Sequence, residues 1–173
     1  PLNPVECGQD AGRGDDTLIL YYQPVYQYCF LMLYRQVEEA KDATQEVFAR
    51  AYQRRDQPPT APRAWLLGIA HYVCLEMRRQ HRKQQRPLPP EAPAWAPDPQ
   101  TLAAASLDLG RLQQCLNTLE PALRSLVVLR FGLGLPDELS LDEIAQAVQM
   151  PRATVYRHLR QALTTLHRRF DAC

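Results

Sequence analysis

The stretch LSLDEIAQAVQMPRATVYRHLRQALTTLHRRF (residues 139–170) predicts two helices joined by a tight turn. Ser140 and Glu143 have the S-x-x-E spacing of a capping box, which starts the first helix. Pro151 suits the first turn of the second helix. From Ile144 to the end of the stretch there are five Arg, two His and no Asp or Glu. A second helix this basic is typical of a helix-turn-helix that reads DNA.

The helical spacing divides this second helix into two faces. The side chains expected to face inward are Val155, Leu159, Ala162, Leu163 and Leu166. On the outward face, Arg and Gln side chains can pair with guanine and adenine edges, and Thr or Arg near the helix start can hold phosphate. A merely solvated face would normally also contain Glu. The candidate DNA-contacting residues are Arg152, Thr154, Tyr156, Arg157, Arg160 and Gln161.

Composition favours a helix-rich globular protein. The 173-residue chain is 46% hydrophobic and has only seven Gly, while good helix formers are abundant. The net charge of +1 does not exclude a nucleic-acid partner, because the basic residues concentrate in residues 78–86 and 152–169.

The five Cys form no C-x-x-C pair and no Cys/His cluster of zinc-ligand spacing, so the sequence predicts no metal site and no cofactor. Cys29, Cys74 and Cys115 fall in apolar segments, and we expect them to be buried thiols in a reducing compartment. No apolar run approaches the roughly 18 residues of a membrane span, and no signal-peptide pattern is present. These features predict a cytoplasmic protein without membrane insertion.

A proline-rich segment divides the chain. RPLPPEAPAWAPDP (86–99) contains six Pro, which block helix continuation and favour an extended linker. We expect a flexible tail over 1–15, a first lobe over 16–86, the linker over 87–105 and a second lobe over 106–173.

Both lobes are predicted to be helical, so the expected fold class is all-α, with two small domains. In the first lobe, helical spacing predicts helices over Asp16–Leu33, Val37–Arg54 and about Thr60–Lys83, with a proline-rich loop over 53–63. In the second lobe, Leu107, Leu112, Leu116 and Leu119 mark one helix. Pro121 opens the next, which Gly132 and Gly134 end.

The second predicted helix has an acidic patch. Asp42, Gln45 and Glu46 are three and four residues apart, so they share one exposed face while an Ala/Val stripe packs inward. No His lies at helical spacing from them, and we therefore expect no catalysis and no small-molecule substrate. By composition alone the patch is either a solvated face or a protein-docking surface.

The third predicted helix combines aromatic and basic residues. Trp65, His71 and Tyr72 precede the run RRQHRK (78–83). Aromatic rings can stack on unpaired bases while cations follow the phosphates, which suits single-stranded DNA. We expect Trp65 to lie in the core, because it shares the stripe of Ile69, whereas the roles of His71 and Tyr72 stay open.

Taken in order, these segments resemble the extracytoplasmic function group of bacterial sigma factors over roughly residues 16–170. The resemblance is carried by EEAKDATQEVFARAY (38–52), PRAWLLGIAHYVCLEMRR (62–79), LNTLEPALRSLVVLRFGLG (116–134) and LDEIAQAVQMPRATVYRHLRQAL (141–163). It implies a region-two domain that binds core RNA polymerase and melts the −10 element, and a region-four domain that reads the −35 element of promoter DNA.

The resemblance also assigns roles to residues. Asp42, Gln45 and Glu46 would dock on the coiled coil of the polymerase. The −35 element would be read by the outward face of the second helix of the helix-turn-helix, and an anti-sigma factor is a further expected partner. The residues that would hold the single-stranded −10 element, with a base flipped out of the stack, are Arg54, Arg55, Arg63, Tyr72, Arg78 and Arg79.

The chain departs from the family pattern at three places, one of which is the segment RFGLGLPDELS (130–140), which is longer than the short turn expected in this group and resembles the primary sigma factors there. His71-Tyr72 stands where the family usually has Arg-Asn, which puts the promoter-melting contacts in question. Ala153 replaces the usual Gly before the Thr-Val of the recognition helix.

The competing hypothesis is an autonomous helix-turn-helix regulator whose N-terminal lobe senses a ligand or dimerises. The segments 38–52 and 62–83 argue against it, because a sensor lobe has no reason to pair an acidic patch with a basic aromatic helix. A purely structural or anti-sigma-like helical protein would leave the Arg face unexplained.

Overall fold

The computed structural model describes residues 18–34, 36–54, 60–83, 112, 114–132 and 138–171. Within these ranges the secondary structure is helical, which confirms the predicted all-α class. The six helices of at least seven residues are α1 (Tyr22–Met32), α2 (Val37–Gln53), α3 (Pro62–Lys83), α4 (Pro121–Phe131), α5 (Leu141–Ala147) and α6 (Arg152–Asp171). The predicted tail over 1–15 and the linker over 87–105 lie outside the described residues.

Lobe one consists of α1, α2 and α3, which pack on one another. In α2 the predicted stripe is confirmed, since Ala40, Ala43, Val47 and Ala51 are all fully buried. Small residues on this stripe allow α2 to approach its neighbours closely, and the opposite face of the helix is left to solvent.

Helix α1 begins later than the sequence predicts, and it buries a different set of residues. Val25, Cys29 and Met32 are buried as expected, but Tyr22 is 39% exposed. Its ring stacks on Tyr26 and Phe48 along the surface instead of entering the core. The residue that enters the core from this helix is Tyr28, which is fully buried. The prediction failed here because a tyrosine can cover apolar surface with its ring while its hydroxyl stays in water.

Helix α4 belongs to lobe two, and the predicted ends of this helix are confirmed. Pro121 occupies the first turn, where its missing N–H costs no hydrogen bond. Gly132 has a φ of 58°, the left-handed conformation that favours glycine after the last helical residue. The Leu139 N–H then donates to the carbonyl of Leu129 at 3.1 Å, which brings the chain back along α4 toward the helix-turn-helix.

The helix-turn-helix is formed by α5 and α6. The Ser140 hydroxyl accepts from the Glu143 N–H at 3.2 Å, and the Glu143 carboxylate accepts from the Ser140 N–H at 2.9 Å, so the predicted capping box is confirmed. Between the helices Gln149 has a φ of 52°. The Met150 N–H donates to the Ala145 carbonyl at 3.0 Å, which closes the tight turn.

The two lobes pack against each other, an arrangement that the sequence did not predict. Helix α3 contacts α5 and α4, and α1 also contacts α4. The buried residues of both lobes form one continuous apolar core. Cys29, Cys74 and Cys115 are buried free thiols, as expected. Over the described residues, no helix is both long and apolar enough to cross a membrane.

Candidate nucleic-acid interface

The acidic patch lies on the exposed side of α2. Asp42, Gln45 and Glu46 are all exposed, which confirms that the three side chains share a face opposite the buried stripe. Glu46 accepts from Arg50 at 2.6 Å, and the same guanidinium binds Glu76 of α3 at 2.9 Å. Within the patch, Glu46 is therefore held by an ion pair with Arg50, whereas the Asp42 carboxylate makes no ion pair within the described part of the chain. Its role in docking stays a prediction.

Two of the single-strand candidates share a cavity. A cavity of about 390 Å³ is lined by Arg54, by Tyr72 and by the half-buried Trp65. Lobe two contributes Gln146 and Gln149 to its wall. A guanidinium and two aromatic rings around a cavity of this size suit a planar base with an attached phosphate.

Arg78 does not belong to this surface. Its guanidinium donates to the Met32 carbonyl at 3.3 Å and to the Tyr34 hydroxyl, and it lies 4.3 Å from the centre of the Tyr34 ring. Burial lowers the pKa of Arg78 from its ordinary value. On the helix it points about 120° away from Tyr72. The guanidinium is thus engaged in holding the end of α1.

The other candidates differ in their surroundings. Arg79 is exposed near the end of α3, and Arg63 is half-buried at its start. Arg63 lies close enough to Glu143 of lobe two to lower the pKa of that carboxyl, after the larger effect of the Ser140 hydrogen bonds. Arg55 lies outside the described residues. Among the described candidates, the structure therefore brings Arg54 and Tyr72 together, whereas Arg63, Arg78 and Arg79 do not line the cavity.

The recognition helix presents the predicted outward face. Val155, Leu159 and Ala162 are buried, whereas Leu163 is 42% exposed. The sequence prediction that Leu163 faces inward was wrong, because Leu163 lies about 100° around the helix from Ala162 and so falls outside the stripe of Ala162 and Leu166 that packs on the core. Thr154 is half-buried at the helix start. The exposed candidates on this face are Arg152, Tyr156, Arg157, Arg160 and Gln161.

One of these arginines has an acidic partner that the sequence analysis missed. Arg152 binds Asp142 of α5 at 3.2 Å. The sequence analysis counted acidic residues only from Ile144 onward and so omitted Asp142. The tight turn between the helices places Asp142 beside the start of α6. Both side chains are more than half exposed, so the pair is weak and Arg152 can exchange it for a phosphate.

Three polar residues lie at the contact between the lobes, of which the sequence analysis singled out only His71, without a role. Arg124 and Ser125 are fully buried in the middle of α4, and His71 is buried on α3. Ser125 accepts or donates hydrogen bonds of 2.6 Å with both His71 Nδ1 and the Tyr28 hydroxyl. The signal was present in LEPALRSLVVLRF, where two polar residues interrupt an otherwise apolar helix. Buried polar groups need partners, and these partners come from lobe one.

The fold and its exposed faces define a two-lobed helical protein with a DNA-reading helix-turn-helix. Comparison with known families agrees, because residues 18–84 match the model of sigma-70 region 2 and residues 109–166 match that of sigma-70 region 4. The chain belongs to the sigma-70 family, in which it is an RNA polymerase sigma factor of the extracytoplasmic function type.

The chain is similar to a curated relative and to a solved structure over most of its length. The chain is 28% identical over 169 residues to the ECF RNA polymerase sigma factor SigW of Bacillus subtilis, covering 88% of this chain and 86% of the relative. Its fold also matches the sigma factor RpoE of Bartonella quintana, solved in complex with the anti-sigma factor NepR, with a TM-score of 0.67 and 21% identity. That match covers 91% of this chain and 96% of the other.

Proposed function

We propose that this sigma factor docks on core RNA polymerase through the exposed face of α2 and directs it to promoters through both lobes. The observation that carries this proposal is the order of the two sigma regions on two lobes whose predicted contact faces are exposed. In this division, residues 16–86 form the region-two domain and residues 106–173 the region-four domain. The linker over 87–105 would pass near the RNA exit path.

At the −10 element, we propose that Arg54 and Tyr72 hold the single strand at the cavity of lobe one. Unstacking a base costs a few kcal/mol, which contacts inside a pocket must offset. The Tyr72 ring can stack on a base and the Arg54 guanidinium can bind the neighbouring phosphate. Arg55, Arg63 and Arg79 would follow the strand, whereas the contacts of Arg78 favour a structural role.

At the −35 element, we expect Arg157→Ala to weaken promoter binding by about 1–3 kcal/mol and to remove selectivity for the −35 sequence. Arg157 is exposed on α6, where its guanidinium can reach a guanine edge in the major groove. Fluorescence anisotropy with duplexes that carry intact or scrambled −35 sequences measures both effects. An equal loss on the two duplexes would make Arg157 a phosphate contact.

The remaining assignments follow from this role. A sigma factor acts with RNA polymerase on chromosomal DNA, so we propose a cytoplasmic location. Its action is binding and strand separation without covalent chemistry. By analogy with the Bartonella complex, we also propose an anti-sigma factor as a partner of this chain.

The alternative of an autonomous helix-turn-helix regulator is not favoured, because the match to sigma-70 region 2 accounts for the whole of lobe one. The test is a titration of fluorescently labelled protein with purified bacterial core RNA polymerase. Tight binding, followed by initiation at defined sites on genomic fragments, is the expected result. Affinity for duplex DNA without affinity for the polymerase would instead favour the regulator.

A further inference from the structure

We propose that Ala153, the second residue of α6, is a specificity-determining residue that contacts the 5-methyl group of a thymine in the −35 element. This inference rests on the proposed function, because it uses the placement of α6 in the major groove of promoter DNA. It goes further by naming one base of the target sequence and the chemical group on that base which the protein contacts.

The first turn of α6 presents a methyl group to any partner in front of it. Val155 is fully buried and Thr154 is half-buried, so neither side chain faces outward. Arg152 is exposed, but its guanidinium binds Asp142 of α5 at 3.2 Å, which draws it to the side of the turn. Ala153 is exposed as well. The group that the first turn directs straight outward is therefore the alanine methyl.

The orientation of Ala153 follows from the residues that are buried further along α6. Ala162 is fully buried, and it lies about 180° around the helix from Ala153. Arg157 and Arg160 are exposed, and they lie within about 40° and about 20° of Ala153. Ala153 thus lies at the centre of the outward face, in line with two arginines that are candidates for contacts with the −35 element.

The position of Ala153 along the helix also favours contact with a base. The recognition helix of a helix-turn-helix enters the major groove so that its N-terminal residues contact base edges. Ala153 precedes Arg157 by four residues, which is about 6 Å along the helix axis. This distance is less than two base-pair steps of about 3.4 Å each. The base that Ala153 contacts therefore lies within two base pairs of the guanine that Arg157 reads.

The chemistry of an alanine side chain selects thymine among the four bases. In the major groove, adenine, guanine and cytosine present hydrogen-bond donors and acceptors, whereas thymine also presents its 5-methyl group. Alanine cannot pair with a donor or an acceptor, and a polar base edge that it covers loses water without gaining a partner. A methyl group that it covers is removed from water with a gain in free energy. The contact therefore favours thymine and disfavours the other bases.

A structural role for Ala153 makes a different prediction. Alanine is the best helix former, so Ala153 also stabilises the start of α6. That contribution is the same whichever base lies opposite the helix. The dependence of binding on a single methyl group of the DNA therefore separates the contact from helix stabilisation.

The experiment uses duplexes that differ by one methyl group. The full chain, bound to core RNA polymerase, first selects a −35 sequence from a pool of random duplexes; if polymerase is not bound, the chain selects alone. Each thymine of the selected sequence is then replaced singly by deoxyuridine, which lacks the 5-methyl group. Fluorescence anisotropy measures the binding of the wild type, of Ala153→Gly and of the matched control Ala122→Gly. Ala122 is the second residue of α4, as Ala153 is of α6.

We expect the wild type to bind one of the uracil duplexes about fourfold more weakly than the thymine duplex, because one buried methyl group is lost. Ala153→Gly is expected to bind those two duplexes equally, so that the effects of the two changes are not additive. Ala122→Gly is expected to keep the fourfold preference of the wild type. Circular dichroism checks that both variants are folded, and the wild-type series tests the contact without any variant.

Two outcomes would overturn the proposal. The first is a wild type that binds every uracil duplex as well as the thymine duplex. The second is an Ala153→Gly variant that keeps the preference for thymine. Either result leaves the proposed function intact as long as the chain binds core polymerase and selects a −35 sequence. A chain that binds polymerase but selects no sequence rejects both sequence reading by α6 and the role of Ala153.

Discussion

Asp42→Arg is expected to weaken binding to core RNA polymerase by at least about 100-fold, because it reverses a charge in the proposed docking patch. Asp42 is exposed on α2 and, among the described residues, forms no ion pair that the substitution would break. Its neighbours in the patch, Gln45 and Glu46, stay in place. The measurement is a titration of labelled protein with purified core polymerase.

The variant is expected to stay folded. The new arginine lies one helical turn from Glu38 and one from Glu46, so it gains two opposite charges at the spacing that stabilises a helix. Arginine is also a better helix former than aspartate. Circular dichroism and thermal unfolding should therefore match the wild type, so that a loss of affinity reports on docking and not on stability.

Glu120→Arg is the matched control. Glu120 is an exposed acid at the start of α4, far along the chain from the patch, and its substitution makes the same change in net charge. If the two variants lose the same affinity, the effect is long-range electrostatics, and α2 is not the docking surface. If Asp42→Arg binds as well as the wild type, the docking assignment is wrong.

The sequence predicted those elements whose signals are local. The ends of α4 follow from Pro121 and Gly132, and the start of α5 follows from Ser140 and Glu143, because a cap depends on residues within one turn. The buried stripe of α2 follows from the spacing of its Ala and Val residues. These features can be predicted without knowing which elements pack against the helix.

The sequence could not predict the contact between the lobes, because that contact joins residues more than fifty positions apart. His71 and Ser125 are paired only once α3 and α4 meet. The polar residues inside α4 indicated buried partners without saying which ones. For the same reason the sequence predicted which helix faces are exposed but not how the candidates are grouped: Arg54 and Tyr72 share a cavity, whereas Arg78 turns toward Tyr34.

The contact between the lobes gives a structural role to His71-Tyr72, the pair at which this chain departs from the family pattern. Both residues bind lobe two, His71 through Ser125 and Tyr72 through the Val148 carbonyl. The rings of the two residues also meet edge to face at 5.0 Å. A pair that would ordinarily be considered only for its DNA contacts is therefore also a structural pair, and the protonation of His71 affects the stability of the fold.

Acid is expected to destabilise the protein through His71, by about 2 kcal/mol between about pH 7.5 and about pH 5. Burial lowers the pKa of His71 from 6.5 to about 4. Between these two values the unfolded chain binds a proton that the folded chain does not, so the free energy of unfolding falls as the pH falls. Above the ordinary pKa of histidine both states are neutral, and His71 adds no pH dependence.

The groups that face His71 do not compensate for this loss. Tyr28 of α1 stays neutral, because burial raises its pKa further above the ordinary value, and Ser125 of α4 carries no charge. Arg124, on the same turn as Ser125, is a cation and offers no stabilisation to a second one. The Glu143 carboxyl has a lowered pKa, so its contribution to stability is lost only below its ordinary value of 4.5, outside the range measured.

Urea unfolding across this pH range, for the wild type and for His71→Asn, isolates the contribution of His71. Asparagine keeps a neutral polar group beside Ser125 but binds no proton in either state. We expect the wild type to lose about 2 kcal/mol more than the variant on going to the lower pH, equivalent to a fall in Tm of roughly 4–8 °C. Parallel pH profiles for the two proteins would mean that His71 is protonated without cost, and hence that water reaches it in the folded chain.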